Sequence, residues 1–295
     1  MQKIIIDTDI GDDIDDALAI TFALNSPEID VVGITTVYRD TVKRAKIAKK
    51  LLKLAGREDI PVRYGIGQPI KAEPFGDSTP CQYSEDVKDI PVEGGALDFL
   101  EKMIMENPGE ITIVAIGALT NIGLLFRTKP HVIEKLKELV IMGGCFFENQ
   151  NEWNIRCDPD AAKICFESGV KLTAVGLDVT MKCYLPKDKI EVIHNTDKPV
   201  AQYLSKLIKL WNGRVMVLHD PLAVAAVFKP DLLEIENHDI SVETEGQFTK
   251  GFTLNNSYHL SLFNPDTPVD SNVYVCRSVK NEEFENLFFE RIIQK

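Results

Sequence analysis

Six aspartates fall within the ten residues from Asp7 to Asp16, directly after the short apolar run Ile4–Ile6. So many like charges on one turn repel each other and weaken the fold unless solvent, protons or a cation relieve them. Hard cations such as calcium take roughly six to eight oxygen ligands, and carboxylates on a turn can supply several of these. A bound metal is therefore the first chemistry that the sequence indicates.

An EF-hand does not explain this cluster, because the sixth position of such a loop must be glycine. That position is Asp12 when counted from Asp7, and Ile14 when counted from Asp9. A calcium ion here would therefore need ligands from elsewhere in the chain. The alternative is a solvated acidic turn in which Asp12 or Asp13 caps the helix that follows.

Two polar groups further along the chain could supply such ligands. Thr120 and Asn121 follow the apolar run Ile111–Ile116, and His219 and Asp220 precede a proline and a second apolar helix. Both groups have a structural explanation, since Thr120, Asn121 or Asp220 can cap a helix and proline suits its first position. Alternatively, Asp220 reaches a metal while His219, which titrates near neutrality, donates or accepts a proton.

Glu152 and Asn154 lie two residues apart, on either side of Trp153. In an extended segment such a carboxylate and amide point the same way and can hold two hydroxyls of a polyol, as in sugar binding. A polar surface loop is the alternative. We expect Trp153 to be buried and to give the segment a defined shape.

Short β-branched runs alternate with amphipathic stretches through the first 180 residues. This alternation predicts an α/β fold with an open, mostly parallel central sheet, a Rossmann-like core flanked by helices. The predicted strands are Lys3–Ile6, Asp30–Thr35, Pro61–Tyr64, Ile111–Ile116, Leu139–Met142 and Leu172–Val175. The predicted helices are Asp15–Asn25, Val42–Leu54, Gly95–Glu106, Asn121–Arg127, Pro159–Ser168 and Pro199–Trp211. Ligands of such sheets bind beyond the carboxyl ends of the strands, where the polar groups above would lie.

A small strand-rich part follows, and one domain over residues 1–295 is expected, since α/β domains of this length are commonly single. Its predicted elements are the strands Ile240–Val242, Phe252–Leu254 and Val273–Val275 and the helix Asn281–Ile293. Two stretches, Ala72–Val92 and Gly143–Asn154, carry the prolines, glycines and polar residues of loops. Loops this long are often functional lids.

Composition restricts the partners of this chain. Hydrophobic residues make up 44% and charged residues 26%, which is ordinary for a globular protein. The net charge of -12 argues against nucleic acid and against anionic membranes. No run approaches the roughly 18 apolar residues of a membrane span and no signal segment is evident, so we expect a cytoplasmic protein. The six cysteines form no CxxC pair, and we expect them to be reduced and mostly buried.

Taken together, the motifs closely resemble those of the inosine–uridine preferring nucleoside hydrolase family. They run in family order and cover most of the chain. They are Asp7-Thr8-Asp9-x-Gly11 with Asp15-Asp16-Ala17-x-Ala19, Gly33-Ile34-Thr35-Thr36-Val37, Gly117-x-Leu119-Thr120-Asn121, Met142-Gly143-Gly144, Glu152-Trp153-Asn154, Asp158-Pro159-x-Ala161-Ala162, Gly176-Leu177-Asp178-Val179-Thr180 and His219-Asp220-Pro221.

The resemblance implies a calcium-dependent enzyme that hydrolyses the N-glycosidic bond of a ribonucleoside, with an aspartate activating a calcium-bound water. By position, it implies that the calcium ligands are Asp9, Asp16, the backbone carbonyl of Thr120, and Asp220. Asp15 would be the general base, and His219 would lie near the nucleobase and protonate it as it leaves. Glu152 and Asn154 would hold ribose hydroxyls. A homodimer or homotetramer is expected.

The sequence departs from the family pattern in the acidic segment. The family places its paired aspartates two residues after the glycine, whereas Asp15-Asp16 lies two residues further on, with Asp12-Asp13 intervening. Ala17 and Ala19 continue the family pattern and favour Asp15-Asp16 as the pair. Asp13 remains open as a ligand or as the base.

Two more departures concern the sugar. Where the family shows Ala-Gly-Asn after Thr-Thr-Val, this chain has Tyr38-Arg39-Asp40, in which Asp40 could still accept hydrogen bonds from ribose. The Gly143–Asn154 loop is short, so the residue that meets the 5′-hydroxyl is open between Asn149 and Asn151.

The nucleobase pocket is less defined. Tyr203 and Trp211 could stack on a base, but at helical spacing such aromatics more often belong to the core.

Two other functions compete with hydrolysis. A strand followed by Asp7-x-Asp9 also resembles the nucleophile loop of haloacid-dehalogenase-like phosphatases, with a covalent aspartyl-phosphate on Asp7. That reading explains neither Asp15-Asp16 nor His219-Asp220-Pro221. A non-catalytic, calcium-dependent binder of nucleoside or ribose is the third possibility, which the departure at Asp40 leaves open.

Overall fold

The computed structural model describes residues 1–71, 75–76, 78–213, 215–257 and 269–293. Its strands are β1 Gln2–Thr8, β2 Ile29–Thr36, β3 Val62–Tyr64, β4 Ile111–Ala115, β5 Glu138–Met142, β6 Leu172–Val175, β7 Tyr184–Leu185, β8 Met216–Val217, β9 Leu233–Asn237, β10 Ile240–Val242, β11 Thr253–Asn255 and β12 Val273–Val279. Its α-helices are α1 Asp15–Leu24, α2 Thr41–Leu54, α3 Ala96–Glu106, α4 Thr120–Thr128, α5 Trp153–Cys157, α6 Pro159–Phe166, α7 Leu177–Thr180, α8 Lys187–His194, α9 Pro199–Trp211, α10 His219–Phe228 and α11 Asn281–Ile293. Short 3₁₀ helices span Glu85–Val87, Pro130–Lys135 and Pro230–Leu232.

Eight strands form the central sheet in the order β3-β2-β1-β4-β5-β6-β12-β9. Neighbouring strands from β3 to β12 pair in parallel, and β9 adds an antiparallel edge. The chain reverses its direction of winding between β1 and β4, where loops at the carboxyl ends diverge and leave a crevice. The predicted α/β fold with a mostly parallel sheet is confirmed.

Alternation along β1 explains why helices cover both faces of the sheet. Ile4 and Ile6 pack in one apolar cluster with residues of α1, α2, α9, α10 and α11, and Ile5 packs in a second cluster with residues of α3, α4 and α6. Successive strand side chains point to opposite faces, so three consecutive isoleucines serve two cores. The polar residues of the chain therefore reach a ligand only where strands end.

Each predicted strand and helix of the first 180 residues is present, with ends within two residues of those expected. The sequence predicted neither α5, which begins inside the predicted Gly143–Asn154 loop, nor α7, α8, the antiparallel pair β7–β8 and the edge strand β9. The other predicted loop, Ala72–Val92, lies partly outside the described residues. Five of the six cysteines are buried and Cys81 is exposed. None of the helices in the described ranges is long and apolar enough to cross a membrane.

Candidate functional site

The acidic segment links β1 to α1 at the crevice between β1 and β4. We call residues 9–14 the acidic loop. At Gly11 the backbone has a φ of 133°, and a Cβ would lie 2.7 Å from the Cβ of Pro80, so the turn requires glycine. The loop delivers Asp15 and Asp16 to the first turn of α1, where a helix N-terminus favours carboxylates.

Asp15, Asp16 and Asp220 form a compact carboxylate cluster. Each is buried, and each offers a carboxylate oxygen that lies within 4.8 Å of the oxygens offered by the other two. Asp220 comes from the first turn of α10, and its backbone N–H donates to Asp15 Oδ2 at 3.3 Å. The Thr8 hydroxyl donates to Asp16 Oδ1 at 2.5 Å. Two helix N-termini from distant parts of the sequence therefore aim three carboxylates at one point.

Burial raises the pKa of each member of this cluster well above its ordinary value. Repulsion from neighbouring aspartates adds to the effect, from Asp13 on Asp15, from Asp9 on Asp16 and from Asp15 on Asp220. A cation among these oxygens would favour the ionised forms and relieve the repulsion. The donor set, all carboxylate oxygen, is the kind that hard divalent cations bind, so the cluster fits a metal.

The cluster lines a cavity of about 530 Å³, a size that suits a small molecule. The cavity is lined by Asp9, Asp12, Asp13, Asp15, Asp16, Tyr38, Arg39, Ile116, Met142, Asn151, Glu152, Trp153, Asn154, Leu177, His219 and Asp220. Of the predicted site residues, Asp9, Asp15, Asp16, Glu152, Asn154, His219 and Asp220 are therefore together.

Thr120 and Asp40 are the two predicted site residues that do not line the cavity. Thr120 is buried at the start of α4, and its hydroxyl donates to Asp158 Oδ2 at 2.8 Å. Asp40 caps α2, where its Oδ1 accepts from the backbone N–H of Lys43 at 3.0 Å and its Oδ2 pairs with Lys43 Nζ at 2.8 Å. The Asp40 carboxylate, which the sequence predicted to bind ribose, is thus engaged in capping α2.

Asp12 and Asp13, in the acidic loop, have different environments. Asp12 pairs with Arg44 at 2.6 Å and accepts the backbone N–H of Cys81 at 3.2 Å. Asp13 is exposed, and its Oδ1 accepts from the N–H of Ile14 at 2.6 Å. Neither carboxylate belongs to the buried cluster.

Glu152 caps α5 and is held firmly in the cavity wall. Its two carboxylate oxygens accept the backbone N–H groups of Asn154 and Ile155 at 2.8 and 3.0 Å and that of Gly144 at 3.1 Å. Burial raises its pKa to about 7, although these three hydrogen bonds act in the opposite direction. The three hydrogen bonds fix the position of the Glu152 carboxyl group in the cavity wall, whether that group is protonated or ionised.

Asn154 is oriented by backbone carbonyls. Its amide nitrogen donates to the carbonyls of Ile116 at 3.2 Å and Met142 at 3.0 Å. Its oxygen remains as an acceptor for a hydroxyl in the cavity. Trp153 between these residues is 54% exposed, so the expectation that it is buried was wrong. It lies at the cavity rim because α5, rather than an extended strand, begins here.

His219 lies in the cavity as the first residue of α10, with Nδ1 2.7 Å from the Thr180 hydroxyl. Burial lowers its pKa to about 4, so the imidazole is neutral at pH 7. The Thr180 hydroxyl lies 3.4 Å from the carbonyl of Leu177, its other acceptor. The shorter contact favours donation to Nδ1, which leaves the proton on Nε2 as a donor.

Of the remaining candidates from the sequence, some line the cavity and others do not. Asn151 lines the cavity, whereas Asn149 is exposed. Tyr203 is buried in the core and Trp211 packs against the same core, so these aromatics have the core role that was the alternative to base stacking.

Asp7 has no exposed area, and its Oδ1 accepts from Thr35 and Asn121, so it cannot attack a phosphate. The phosphatase alternative fails on this point.

Known proteins are similar to this chain in sequence and in fold. The sequence profile described as inosine-uridine preferring nucleoside hydrolase matches residues 4–286. The chain belongs to the nucleoside hydrolase family. This nucleoside hydrolase is therefore an enzyme that hydrolyses the N-glycosidic bond of ribonucleosides, as the sequence predicted.

Relatives of this nucleoside hydrolase cover nearly its whole length. A probable uridine nucleosidase 2 of Arabidopsis thaliana is 36% identical over 277 residues, which are 86% of this chain and 85% of the relative. The plant nucleoside hydrolase PpNRh1 superposes with a TM-score of 0.85 at 32% identity, covering 100% of this chain and 99% of its own. A purine-preferring ribonucleoside hydrolase from Gardnerella vaginalis gives 0.83 at 27% identity, with 99% and 98% covered.

The raised pKa values predict how stability of this nucleoside hydrolase depends on pH. Burial raises the pKa of Asp7 to about 7 and that of Asp9 to about 6, above their values in the unfolded chain. The folded protein then binds more protons than the unfolded chain, so without metal its free energy of unfolding falls as pH rises from about 4 to 7. We expect a decrease of roughly 2 kcal/mol or more, since one pKa unit corresponds to about 1.4 kcal/mol.

Denaturant unfolding at pH 5, 6 and 7 in a chelator measures this dependence. With a saturating divalent cation the decrease should shrink or reverse, because ions that bind only the folded state favour ionised carboxylates. Unfolding midpoints that do not change with pH in the chelator would contradict the prediction.

Proposed function

We propose that this enzyme is a calcium-dependent ribonucleoside N-ribohydrolase that accepts uridine. The observation that carries the proposal is the convergence of Asp15, Asp16 and Asp220 in the wall of the cavity. The Arabidopsis relative supports uridine as a substrate. A purine-preferring neighbour of similar fold shows that the fold does not by itself set the base preference.

Asp9, Asp16, Asp220 and the backbone carbonyl of Thr120 would hold the calcium. Asp9 and the two cluster residues line the cavity, and Thr120 begins α4 just beyond β4, at the same edge of the sheet as the acidic loop. Oxygen ligands from three separate segments suit the irregular coordination of calcium. When bound, calcium would polarise the attacking water and orient the vicinal ribose hydroxyls.

Asp15 is the residue that we assign as general base. It is buried beside Asp16, and the N–H of Asp220 fixes its Oδ2, so its carboxylate has a defined orientation. It would take the proton of the water as the oxygen attacks C1′. Its location in the cluster favours Asp15 over the exposed Asp13, which caps the backbone of its own turn.

Glu152 and Asn154 would bind ribose. The amide oxygen of Asn154 accepts from a hydroxyl, while the carboxyl group of Glu152 pairs with another. As the glycosidic bond breaks, positive charge develops on the sugar, and the carboxylates around it stabilise that charge. Asp40 has no part in this proposal, because its carboxylate caps α2.

His219 would receive the departing base. With Nδ1 accepting from Thr180, the Nε2–H of the neutral imidazole can donate a hydrogen bond to the nucleobase and stabilise the negative charge that develops on it as the bond breaks. The departing base takes its proton from solvent while Asp15 returns the proton of the attacking water to solvent, and ribose and free base remain as products. A neutral donor agrees with the low pKa that burial gives His219.

A release assay over a panel of ribonucleosides tests the proposal. We expect uridine hydrolysis with calcium and loss of at least roughly 100-fold of the rate in chelator, restored when calcium is returned. Magnesium and zinc serve as metal controls, and 2′-deoxyuridine tests the need for a vicinal diol. Tight binding of nucleoside without turnover would favour the calcium-dependent binder, and full activity in chelator would contradict the metal assignment.

Two further expectations from the sequence stay predictions. A homodimer or homotetramer would be shown by light scattering, and a cytoplasmic location by fractionation of the source cells. A net charge of -12 continues to argue against nucleic acid as a partner.

A further inference from the structure

Arg44, on α2, is a fully buried arginine beside the acidic loop. Its side chain has no exposed area, and it is among the largest fully buried side chains of the described residues. Burying a guanidinium is costly unless hydrogen bonds and a counter-charge replace its water. The groups that satisfy Arg44 therefore indicate what the cation stabilises.

Four acceptors surround Arg44, on two separate segments. Nη1 donates to the carbonyls of Asp9 and Ile10, the latter at 3.1 Å. Nη2 donates to Asp12 Oδ2 at 2.6 Å, and Nε donates to the carbonyl of Tyr38 at 2.7 Å. One side chain thus joins the acidic loop to the bend that begins at Tyr38.

These two segments hold two of the three departures from the family motifs that the sequence analysis describes. Asp12 and Asp13 lengthen the acidic loop, and Tyr38 and Arg39 replace smaller residues. Both residues of the bend have left-handed backbones, with φ of 71° and 54°, which cost roughly 1–3 kcal/mol each outside glycine. Such strain persists only where surrounding contacts fix the backbone, and the bond from Arg44 to the Tyr38 carbonyl is one of them.

We propose that Arg44 is a positioning residue of the calcium site, which fixes the backbone at Asp9 and neutralises Asp12 so that the lengthened loop presents Asp9 to the cavity. Arg44 touches neither substrate nor the reacting atoms in this arrangement. The acidic loop and the bend are then held as one unit, since the carboxylates of the loop need a cation and the Tyr38 carbonyl supplies a further anchor for it. The proposal rests on the proposed calcium site.

Calcium affinity of Arg44 variants, measured by calorimetry, tests the proposal without reference to turnover. We expect R44K and R44M to bind calcium at least roughly 10-fold more weakly, the usual cost of losing a group that orients a metal ligand. Lysine keeps the charge, but its single ammonium cannot bridge four acceptors on two segments. D12N keeps an acceptor for Arg44 and should change the affinity less than roughly 3-fold.

Arg291 provides a matched control at the other end of α1. Its side chain is 16% exposed, donates to the carbonyl of Asn25 at 3.3 Å and pairs with Glu28 at 3.0 Å. R291M removes a similar arginine that joins two segments, far from the acidic loop. We expect it to lower the unfolding temperature while leaving calcium affinity unchanged.

Several results would overturn the role of Arg44. Wild-type calcium affinity in R44K and R44M, or a loss no larger than in R291M, would show that Arg44 is only structural. A larger loss in D12N than in either Arg44 variant would make Asp12 itself a ligand. Failure of both Arg44 variants to fold in saturating calcium would assign Arg44 to the fold rather than to the site.

The same titrations separate this proposal from the proposed function. A wild-type protein that binds calcium but releases no base would overturn the hydrolase assignment and leave the Arg44 comparison valid. A wild-type protein that binds no calcium would overturn the calcium assignment, and the proposal for Arg44 with it.

Discussion

Replacing Asp15 with asparagine is expected to lower kcat for uridine hydrolysis by roughly 10³-fold, because the amide cannot accept the proton of the attacking water. The substitution preserves volume, so the first turn of α1 should remain intact. Asp15 is not among the proposed ligands, and calcium affinity should change by less than about 10-fold. Steady-state kinetics together with calcium calorimetry measure the two effects separately.

Asp13→Asn is the control for this prediction. Asp13 is exposed and caps the N–H of Ile14, a role that asparagine can also fill. We expect kcat within about 3-fold of wild type. Retained turnover in Asp15→Asn together with loss of turnover in Asp13→Asn would show that Asp13, rather than Asp15, is the general base.

Replacing Asp220 with asparagine is expected to weaken calcium binding by roughly 100-fold or more and to abolish hydrolysis at micromolar calcium. Asp220 is buried, and its carboxylate completes the cluster with Asp15 and Asp16. Without calcium the variant should be at least as stable as wild type, because one of three repelling carboxylates is gone. Opposite signs of the two effects distinguish a metal ligand from a structural residue.

Asp178→Asn is the matched control, since Asp178 is also a buried aspartate in the first turn of a helix. Its Oδ2 accepts the backbone N–H groups of Phe146 and Phe147 at 3.0 and 2.9 Å, and it does not line the cavity. We expect a loss of about 1–2 kcal/mol in unfolding free energy with unchanged calcium affinity. Unaltered calcium binding in Asp220→Asn would exclude Asp220 as a ligand.

Local pattern predicted the sheet because its strands are buried on both faces. Such strands are continuous β-branched runs, and the turn and helix signals that bound them are local, so β1 and β4 were located to within two residues. The edge strand β9, Leu233–Asn237, was missed although its alternating apolar and charged residues are typical of a half-exposed strand. The pair β7–β8 is too short for any periodicity to appear.

The sequence also indicated most of the candidate site, for a physical reason. Carboxylates directly after β1 and before an apolar helix can only lie at the carboxyl edge of the sheet, so their charge alone predicts a cation site there. The same reasoning failed at Asp40, whose cap on α2 depends on the turn that precedes the helix. It also failed at Trp153, because a short helix replaced the expected extended segment.

By itself, the sequence determined the α/β fold, the acidic segment and the family to which the motifs belong. Only the tertiary structure shows which aspartates lie together, because Asp220 lies more than 200 residues from Asp15 in sequence and meets it where two helices begin. The six aspartates therefore divide by environment. Burial beside other carboxylates makes Asp15 and Asp16 candidates for the metal site and for the general base. Asp12 is not a candidate because it pairs with Arg44, and Asp13 is not a candidate because it is exposed.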